Sequence, residues 1–249
     1  MSNLRFYTDE NLKIGATVKL SENAATHATR VLRLEISDEI VLFNGDGNDY
    51  TCAITSIKKT EVLVVVKSFV KMTNESPLNI TLLQGISSGD RMDYTIQKAV
   101  ELGVTAIVPI VTTRSVVKLS NERAEKRLAH WQNVVHAACE QSGRAFVPQV
   151  ASPISLSAWL ANNPHSNSTR ILLNPIGAQR LAELPKPTGH IELRPVELLV
   201  GAEGGLSQTE IDTALSQSFQ SVILGARILR TETAALVAIS AMQTLWGDF

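Results

Sequence analysis

Two short stretches near the C-terminus hold the residues best suited to chemistry. The first, Gly201-Ala202-Glu203-Gly204-Gly205-Leu206-Ser207, follows directly on the apolar run Leu198-Leu199-Val200. In parallel α/β sheets ligands bind beyond the carboxyl ends of the strands. Glycines at that place let the backbone take positive φ and approach a ligand closely. Ser207 is positioned to cap the next helix, with Glu210 completing a capping box. Taken alone, this pattern is equally that of a tight strand–helix turn. The second stretch, Leu224-Gly225-Ala226-Arg227-Ile228-Leu229-Arg230-Thr231-Glu232-Thr233-Ala234, joins a glycine, two arginines and a Thr-Glu-Thr turn to an apolar helix. Thr231 is expected to cap that helix, whose first N–H groups would then be free for a ligand. Alternatively, Arg227 and Arg230 form surface ion pairs with Glu203 and Glu232.

Several other chemistries are excluded. No GxGxxG follows a strand and no GxxxxGK[ST] loop is present, which removes the main support for dinucleotide and P-loop binding. There is no HExxH, no close cysteine set and no GxSxG, so neither a metal site nor a serine nucleophile is expected. Cys52 and Cys139 stand far apart, and His27, His130, His136, His165 and His190 show no ligand spacing. The chain has 249 residues, 44% hydrophobic and 19% charged, as in ordinary globular proteins. No apolar run reaches the roughly 18 residues of a membrane span, and Met1 to Tyr7 lacks a signal-peptide core. A cytoplasmic protein without membrane attachment is expected. The net charge of −1 does not exclude a nucleic-acid partner, because phosphates are neutralised by a local basic face.

The surrounding pattern changes once along the chain. Up to about residue 70, segments rich in β-branched and aromatic residues predict short strands: Val18–Leu20, Ile40–Phe43, Tyr50–Ile57 and Glu61–Val70. Asn44 to Asp49 reads as a turn of residues that tolerate positive φ. One short helix, capped by Ser21, is expected within this barrel. Lys71 to Pro77 is the linker candidate. From Ile80 onward strands and helices alternate, which predicts a mostly parallel sheet covered on both faces. The strands are expected near Ile80–Leu83, Ala106–Val111, Ile171–Leu173 and Glu197–Val200. Asp90 is expected to cap a helix with Met92, Ile96, Ala99, Val100 and Gly103 on one face; a longer helix runs from about Glu122 to Ser142. Further helices are expected near Ser207–Ser216 and Glu232–Trp246. The last is apolar nearly all round, as befits a central core helix or one that also forms a homodimer contact.

The pair GAEGGLSQTE and LGARILRTETAAL resembles the signature of the RsmE family, 16S ribosomal RNA uridine-N3 methyltransferases of the SPOUT superfamily. Similar blocks lie upstream: Asp90-Arg91-Met92 with Gln97-Lys98-Ala99-Val100-Glu101-Leu102-Gly103-Val104, then Thr113-Arg114-Ser115-Val116-Val117, then Glu140-Gln141-Ser142-Gly143-Arg144. At the front, Arg5-Phe6, His27, Val31-Leu32-Arg33 and Leu42-Phe43-Asn44-Gly45 resemble the family's N-terminal domain. Ala202 and Ala226 stand where many members have Pro, and Ser37 where Gly is common. None of these departures removes a chemical group.

The resemblance implies a small PUA-like RNA-binding β-barrel over 1–72, followed over 77–249 by a SPOUT-type α/β domain whose parallel sheet ends in a C-terminal trefoil knot. It implies S-adenosylmethionine as cofactor, held by Leu173, Asn174, Gly201, Glu203, Gly204, Gly205, Leu224, Gly225, Ile228, Leu229, Arg230, Thr233 and Ala234. Arg230 is expected to stabilise negative charge developing on uracil, with Glu203 or Glu232 orienting it or accepting the N3 proton. Arg5, His27, Arg30, Arg33, Arg91, Lys98, Arg114 and Arg144 are the candidate RNA contacts. The implied partners are 16S rRNA or the small ribosomal subunit and a second copy of the chain, with no metal. Two other readings stay open: a SPOUT enzyme acting on another RNA atom, such as a ribose 2′-OH or guanine N1, and a non-catalytic RNA-binding assembly factor.

Overall fold

The computed structural model describes residues 4–58, 61–115, 121–164, 167–176, 179–189 and 193–249. Val116, Val117, His165 and His190 lie outside the described residues. The chain divides into two compact units: the first up to Glu75 together with Cys139–Val147, the second Ser76–Ala138 together with Pro148–Phe249.

The first unit is a five-stranded sheet of β1 (Arg5–Tyr7), β2 (Thr17–Lys19), β3 (Glu39–Phe43), β4 (Asn48–Lys58) and β5 (Glu61–Lys71). Its order is β1-β3-β4-β5-β2, with β1 parallel to β3 and the other pairs antiparallel. Register shifts in β4 at Thr51/Cys52 and Ile54/Ser56 bend the ribbon, as bulges do by inserting an unpaired residue. The alternating residues Ile40, Leu42, Cys52, Ile54, Val62, Val64 and Val66 are buried, which is the period-two pattern of a one-sided core. Helix α1 (Glu22–Thr26) starts at Ser21, whose hydroxyl accepts from the Ala24 N–H at 3.2 Å. It runs directly into a π-helical turn, His27–Val31. In the Asn44–Asp49 turn, Gly45 and Gly47 take positive φ as the composition suggested.

Two continuous domains do not describe this unit, because 139–147 belongs to it. Arg144 is 5% exposed and bonds Glu75, with Nε 3.0 Å from Oε1 and Nη2 2.6 Å from Oε2. Arg5, also 5% exposed, pairs with Asp49 and donates from Nη2 to the Arg144 carbonyl at 3.1 Å. The Tyr7 N–H donates to Glu140 Oε1 at 2.9 Å. Burial raises the Glu140 pKa against the opposing effect of that bond and of the His27 and Arg5 charges.

The second unit is an eight-stranded sheet: β6 (Ile80–Gly85), β7 (Ala106–Val111), β8 (Gln149–Val150), β9 (Ile154–Ser155), β10 (Thr169–Leu173), β11 (Gln179–Arg180), β12 (Val196–Val200) and β13 (Gln220–Ile223). The order is β11-β13-β10-β12-β6-β7-β8, with β9 also on β7, and the pairings are parallel. Its helices are α2 (Asp90–Glu101), α3 (Asn121–Ser142), α4 (Leu156–Asn162), α5 (Gln208–Ser216) and α6 (Thr231–Trp246). Leu82, Leu83, Ile107, Ile171, Leu172, Leu198 and Leu199 are all buried. Consecutive buried residues in one strand mean that both faces of the sheet are covered.

The chain crosses from β12 over β10 to reach β13, and then returns. On its return, α6 packs against α2, β12 and the 3-10 turn Leu181–Glu183 that follows β11. Gln243, fully buried in α6, pins it there: its Nε2 donates to the Leu102 carbonyl at 2.8 Å and its Oε1 accepts from Ser76 Oγ at 2.7 Å. Two expected caps sit one residue earlier than Asp90 and Thr231, at Gly89 and Arg230.

Candidate active site

Because the strands are parallel and adjacent, the loops after β6, β10, β12 and β13 all emerge at the same edge of the second unit. This brings both chemical stretches together beside Asn174. The first loop folds tightly on itself: the Gly205 N–H donates to the Ala202 carbonyl at 2.8 Å, with Gly205 at φ +68°. Two glycines permit close approaches. A Cβ on Gly85 would overlap the backbone of Gly201 and Ala202, and one on Gly204 would meet Arg114 Cβ and carbonyl oxygen at 3.0 Å. Arg114 also donates from Nη1 to the Gly204 carbonyl at 3.2 Å, so this cation is engaged with the loop itself.

The capping box forms as expected. Ser207 N–H donates to Glu210 Oε2 at 2.7 Å, and Glu210 N–H to Ser207 Oγ at 3.3 Å. Glu210 also accepts from the Thr113 N–H at 2.8 Å, tying the loop after β7 to α5. Burial acts to raise the Glu210 pKa, but the bonds from Ser207 and Thr113 outweigh it and lower the pKa overall. A cavity of about 380 Å³ lies against this side of α5, between Thr113, Ser157 and Thr213. It holds no residue of the second loop.

Glu203 reaches back to the loop before α2. Its Oε1 accepts from the Ser88 N–H at 2.9 Å, the Ser88 hydroxyl at 3.0 Å and Arg91 Nη1 at 3.3 Å. Burial pulls its pKa upward; the Ser88 bonds and the Arg91 charge prevail and hold the carboxyl below its ordinary range. A carboxylate so held is a clamp between loops and a poor proton acceptor near neutral pH. Ser88 carried no motif, and only its position after an apolar strand could have marked it.

The second loop is open. Leu224 and Leu229 are half-buried; Gly225, Ala226, Arg227, Ile228 and Arg230 are exposed. Residues Leu224 to Leu229 make no hydrogen bond among the described residues, and Gly225 takes φ +134°. The loop therefore presents exposed peptide donors and acceptors with no protein partner among the described residues. Arg227 and Arg230 form no ion pair among the described residues, since Glu203 is taken by Arg91. Thr231 does not cap α6; its hydroxyl donates to the Gly201 carbonyl at 2.5 Å. Glu232 is half-buried with Oε2 unpartnered, Thr233 is exposed and Ala234 half-buried. Leu173 is half-buried at the end of β10. The Asn174 N–H donates to the Val222 carbonyl at 3.0 Å, and its side chain closes a turn on the Ile176 N–H at 3.1 Å.

The expected RNA-contacting cations fall into different groups. Arg5 and Arg144 are corrected: each is buried and paired with a carboxylate, so neither faces a phosphate. Arg91 is bound to Glu203, and Lys98 to Glu101 at 2.8 Å. In the first unit His27, Arg30 and Arg33 are exposed, and Arg30 and Arg33 have no ionic partner among the described residues. His27 meets the Phe6 ring edge-on at 5.8 Å, and Arg33 sits at φ +55°.

Comparison with known proteins agrees with this architecture. Residues 74–243 match a family model for an RNA methyltransferase domain, and residues 20–67 one for an RNA methyltransferase PUA domain. The ribosomal RNA small subunit methyltransferases E of two Buchnera aphidicola strains are 34% and 31% identical to the chain, each over 98% of it and 97% and 94% of their own lengths. Among solved structures, a ribosomal RNA small subunit methyltransferase E from Neisseria gonorrhoeae bound to S-adenosyl methionine is 46% identical. It has a TM-score of 0.89 and 98% of each chain is covered. A protein from Legionella pneumophila, solved in complex with the bound cofactor SAM, is 36% identical with a TM-score of 0.91 over 99% of each chain. Two matching domain models and relatives above 30% identity over nearly the whole length show that the chain belongs to the ribosomal RNA small subunit methyltransferase E family.

Proposed function

We propose that the protein transfers a methyl group from S-adenosylmethionine to N3 of a uridine in 16S ribosomal RNA of the small subunit. The observation that carries the reading is the edge where the two glycine loops meet. The unpartnered peptide groups of Leu224 to Leu229 suit a ligand with an amino-substituted ring and ribose hydroxyls, and Gly201 to Gly205 let the backbone approach it. The cofactor supplies the electrophilic methyl, so the protein's work is binding, orientation and electrostatics. Arg230, exposed beside the loop and without an ion pair among the described residues, stabilises negative charge on the uracil oxygens as the N3 proton leaves. Glu232 is the acceptor candidate that remains once Glu203 is committed to Ser88 and Arg91.

The crossing from β12 to β13 and the return of α6 past the turn after β11 support a trefoil-knotted arrangement of these loops. His27, Arg30 and Arg33 form the RNA-contacting stretch of the PUA unit, with phosphates as the complementary charge. The outer face of α6 leaves Val237 41% and Leu245 45% exposed, the expected cover being a second copy of the chain. No described helix is long and apolar enough to cross a membrane, which suits work on ribosomal subunits in the cytoplasm. The test is transfer of labelled methyl from S-adenosylmethionine to purified small subunits lacking the modification, with nucleosides resolved by mass spectrometry. Label in 3-methyluridine supports the reading; label in a ribose-methylated nucleoside or in 1-methylguanosine replaces the substrate atom; no label refutes it.

A further inference from the structure

We propose that Gln84 is a positioning residue for the cofactor loops, acting through Thr231; the inference rests on the S-adenosylmethionine reading above. Gln84 is the penultimate residue of β6, fully buried after the apolar pair Leu82-Leu83. Its Nε2 donates to Thr231 Oγ1 at 3.0 Å and to the Gly85 carbonyl at 3.1 Å. Thr231 in turn donates to the Gly201 carbonyl at 2.5 Å. A hydroxyl has one proton, and the Gly201 carbonyl can only accept it. Thr231 Oγ1 must therefore act as acceptor toward Gln84, and only the amide nitrogen can face it. Turning the amide over would set two oxygens against each other.

This orientation leaves Gln84 Oε1 buried without a partner among the described residues. An unsatisfied buried acceptor costs stability, and an apolar side chain of the same size would avoid that cost. The two Nε2 bonds offset that cost, so a glutamine adds little net stability here, and what it adds over an apolar side chain is the geometry it imposes. The Gln84–Thr231–Gly201 chain joins three points: the end of β6, the first residue of the glycine turn and the first residue of α6. Arg230 and the open loop Leu224–Leu229 end at that same first residue. Fixing the Thr231 hydroxyl fixes where both ligand loops are anchored relative to each other.

The test uses Gln84→Met, Thr231→Val and Thr231→Ser in the full chain, with three measurements. These are the thermal midpoint of the ligand-free protein, the calorimetric Kd for S-adenosylhomocysteine, and amide hydrogen exchange of Gly201–Leu206 without ligand. Gln84→Met should keep or raise the midpoint, weaken S-adenosylhomocysteine by about fivefold to tenfold and speed exchange in the turn. Thr231→Val should weaken the ligand as much, and Thr231→Ser should restore affinity to within roughly twofold, because the hydroxyl is retained. Unchanged affinity in Gln84→Met, or an affinity loss matched by a lower midpoint, would overturn the positioning role. If the wild type itself binds no S-adenosylhomocysteine, the cofactor reading fails first and the inference with it.

Discussion

Replacing Glu203 by Gln separates the two roles a carboxylate on a ligand loop can have. As a clamp, Glu203 receives its bonds at Oε1 alone, from Ser88 at 2.9 and 3.0 Å and from Arg91 at 3.3 Å. Its side chain is 23% exposed and that of Arg91 46%, so the ion pair itself contributes at most about 1 kcal/mol. The charged acceptor adds most through Ser88, where a hydrogen bond to an ionised group nets roughly 1.5–3 kcal/mol. A glutamine oxygen still accepts but carries no charge, so the expected loss is about 1–2 kcal/mol, a factor of about 5–30 in the population of the closed loop. Cofactor affinity should fall by that factor, with little change in the single-turnover rate at saturation. Were Glu203 the proton acceptor, the rate itself would drop by about 10²–10⁴. The pH dependence of stability adds a check. The folded pKa lies below the ordinary value of 4.5, so the clamp's stabilisation is complete above the unfolded pKa and is lost as pH falls through the folded one. Wild type and Glu203→Gln should thus differ in denaturation midpoint at neutral pH and converge in acid. Calorimetry and rapid-quench methyl transfer measure the two quantities; a thousandfold rate loss with normal affinity would refute the clamp.

Other perturbations give distinct signatures. Arg230→Ala should lower the transfer rate by about 10²–10³, as loss of one oxyanion donor does, while leaving S-adenosylhomocysteine affinity nearly intact; equal losses in rate and affinity would count against its role. Glu75→Leu removes the carboxylate that Arg144, with its side chain 6% exposed, binds through Nε and Nη2, and should cost about 3 kcal/mol in urea unfolding of the full chain. Arg144→Met should cost less, because Glu75 is 21% exposed and can rehydrate; the opposite order would mean the pair does not anchor residues 139–147. Reversing charge at Arg30 and Arg33 together should weaken RNA binding and flatten its log–log salt slope by about 1 per lost contact. An unchanged slope would remove them from the interface.

What could be read from residues alone was whatever has a strong local cause. The buried strands, the stripe of α2, the Ser21 cap and the Ser207–Glu210 box depend on neighbours a few positions apart, and each forms. Strands of two or three residues, such as β1, β8, β9 and β11, are too short to show a period. The cap of α6 falls on Arg230 because the Thr231 hydroxyl is drawn to Gly201, a partner 30 positions away. Arg5 and Arg144 looked like surface cations because no local pattern reveals Asp49 and Glu75 as their partners, 44 and 69 positions off. The same long-range pairing draws 139–147 into the first unit. In the candidate site both glycine loops were visible as motifs, yet the commitment of Glu203 to Ser88 and Arg91 follows from β6 lying beside β12, and strand order is not written in composition.

The most direct measurement is mass spectrometry of nucleosides from the small-subunit ribosomal RNA of cells with and without this gene. The account predicts that 3-methyluridine disappears with the gene and returns with the wild-type chain but not with Arg230→Ala. Unchanged 3-methyluridine in the deletion would contradict it, whatever the fold of the protein.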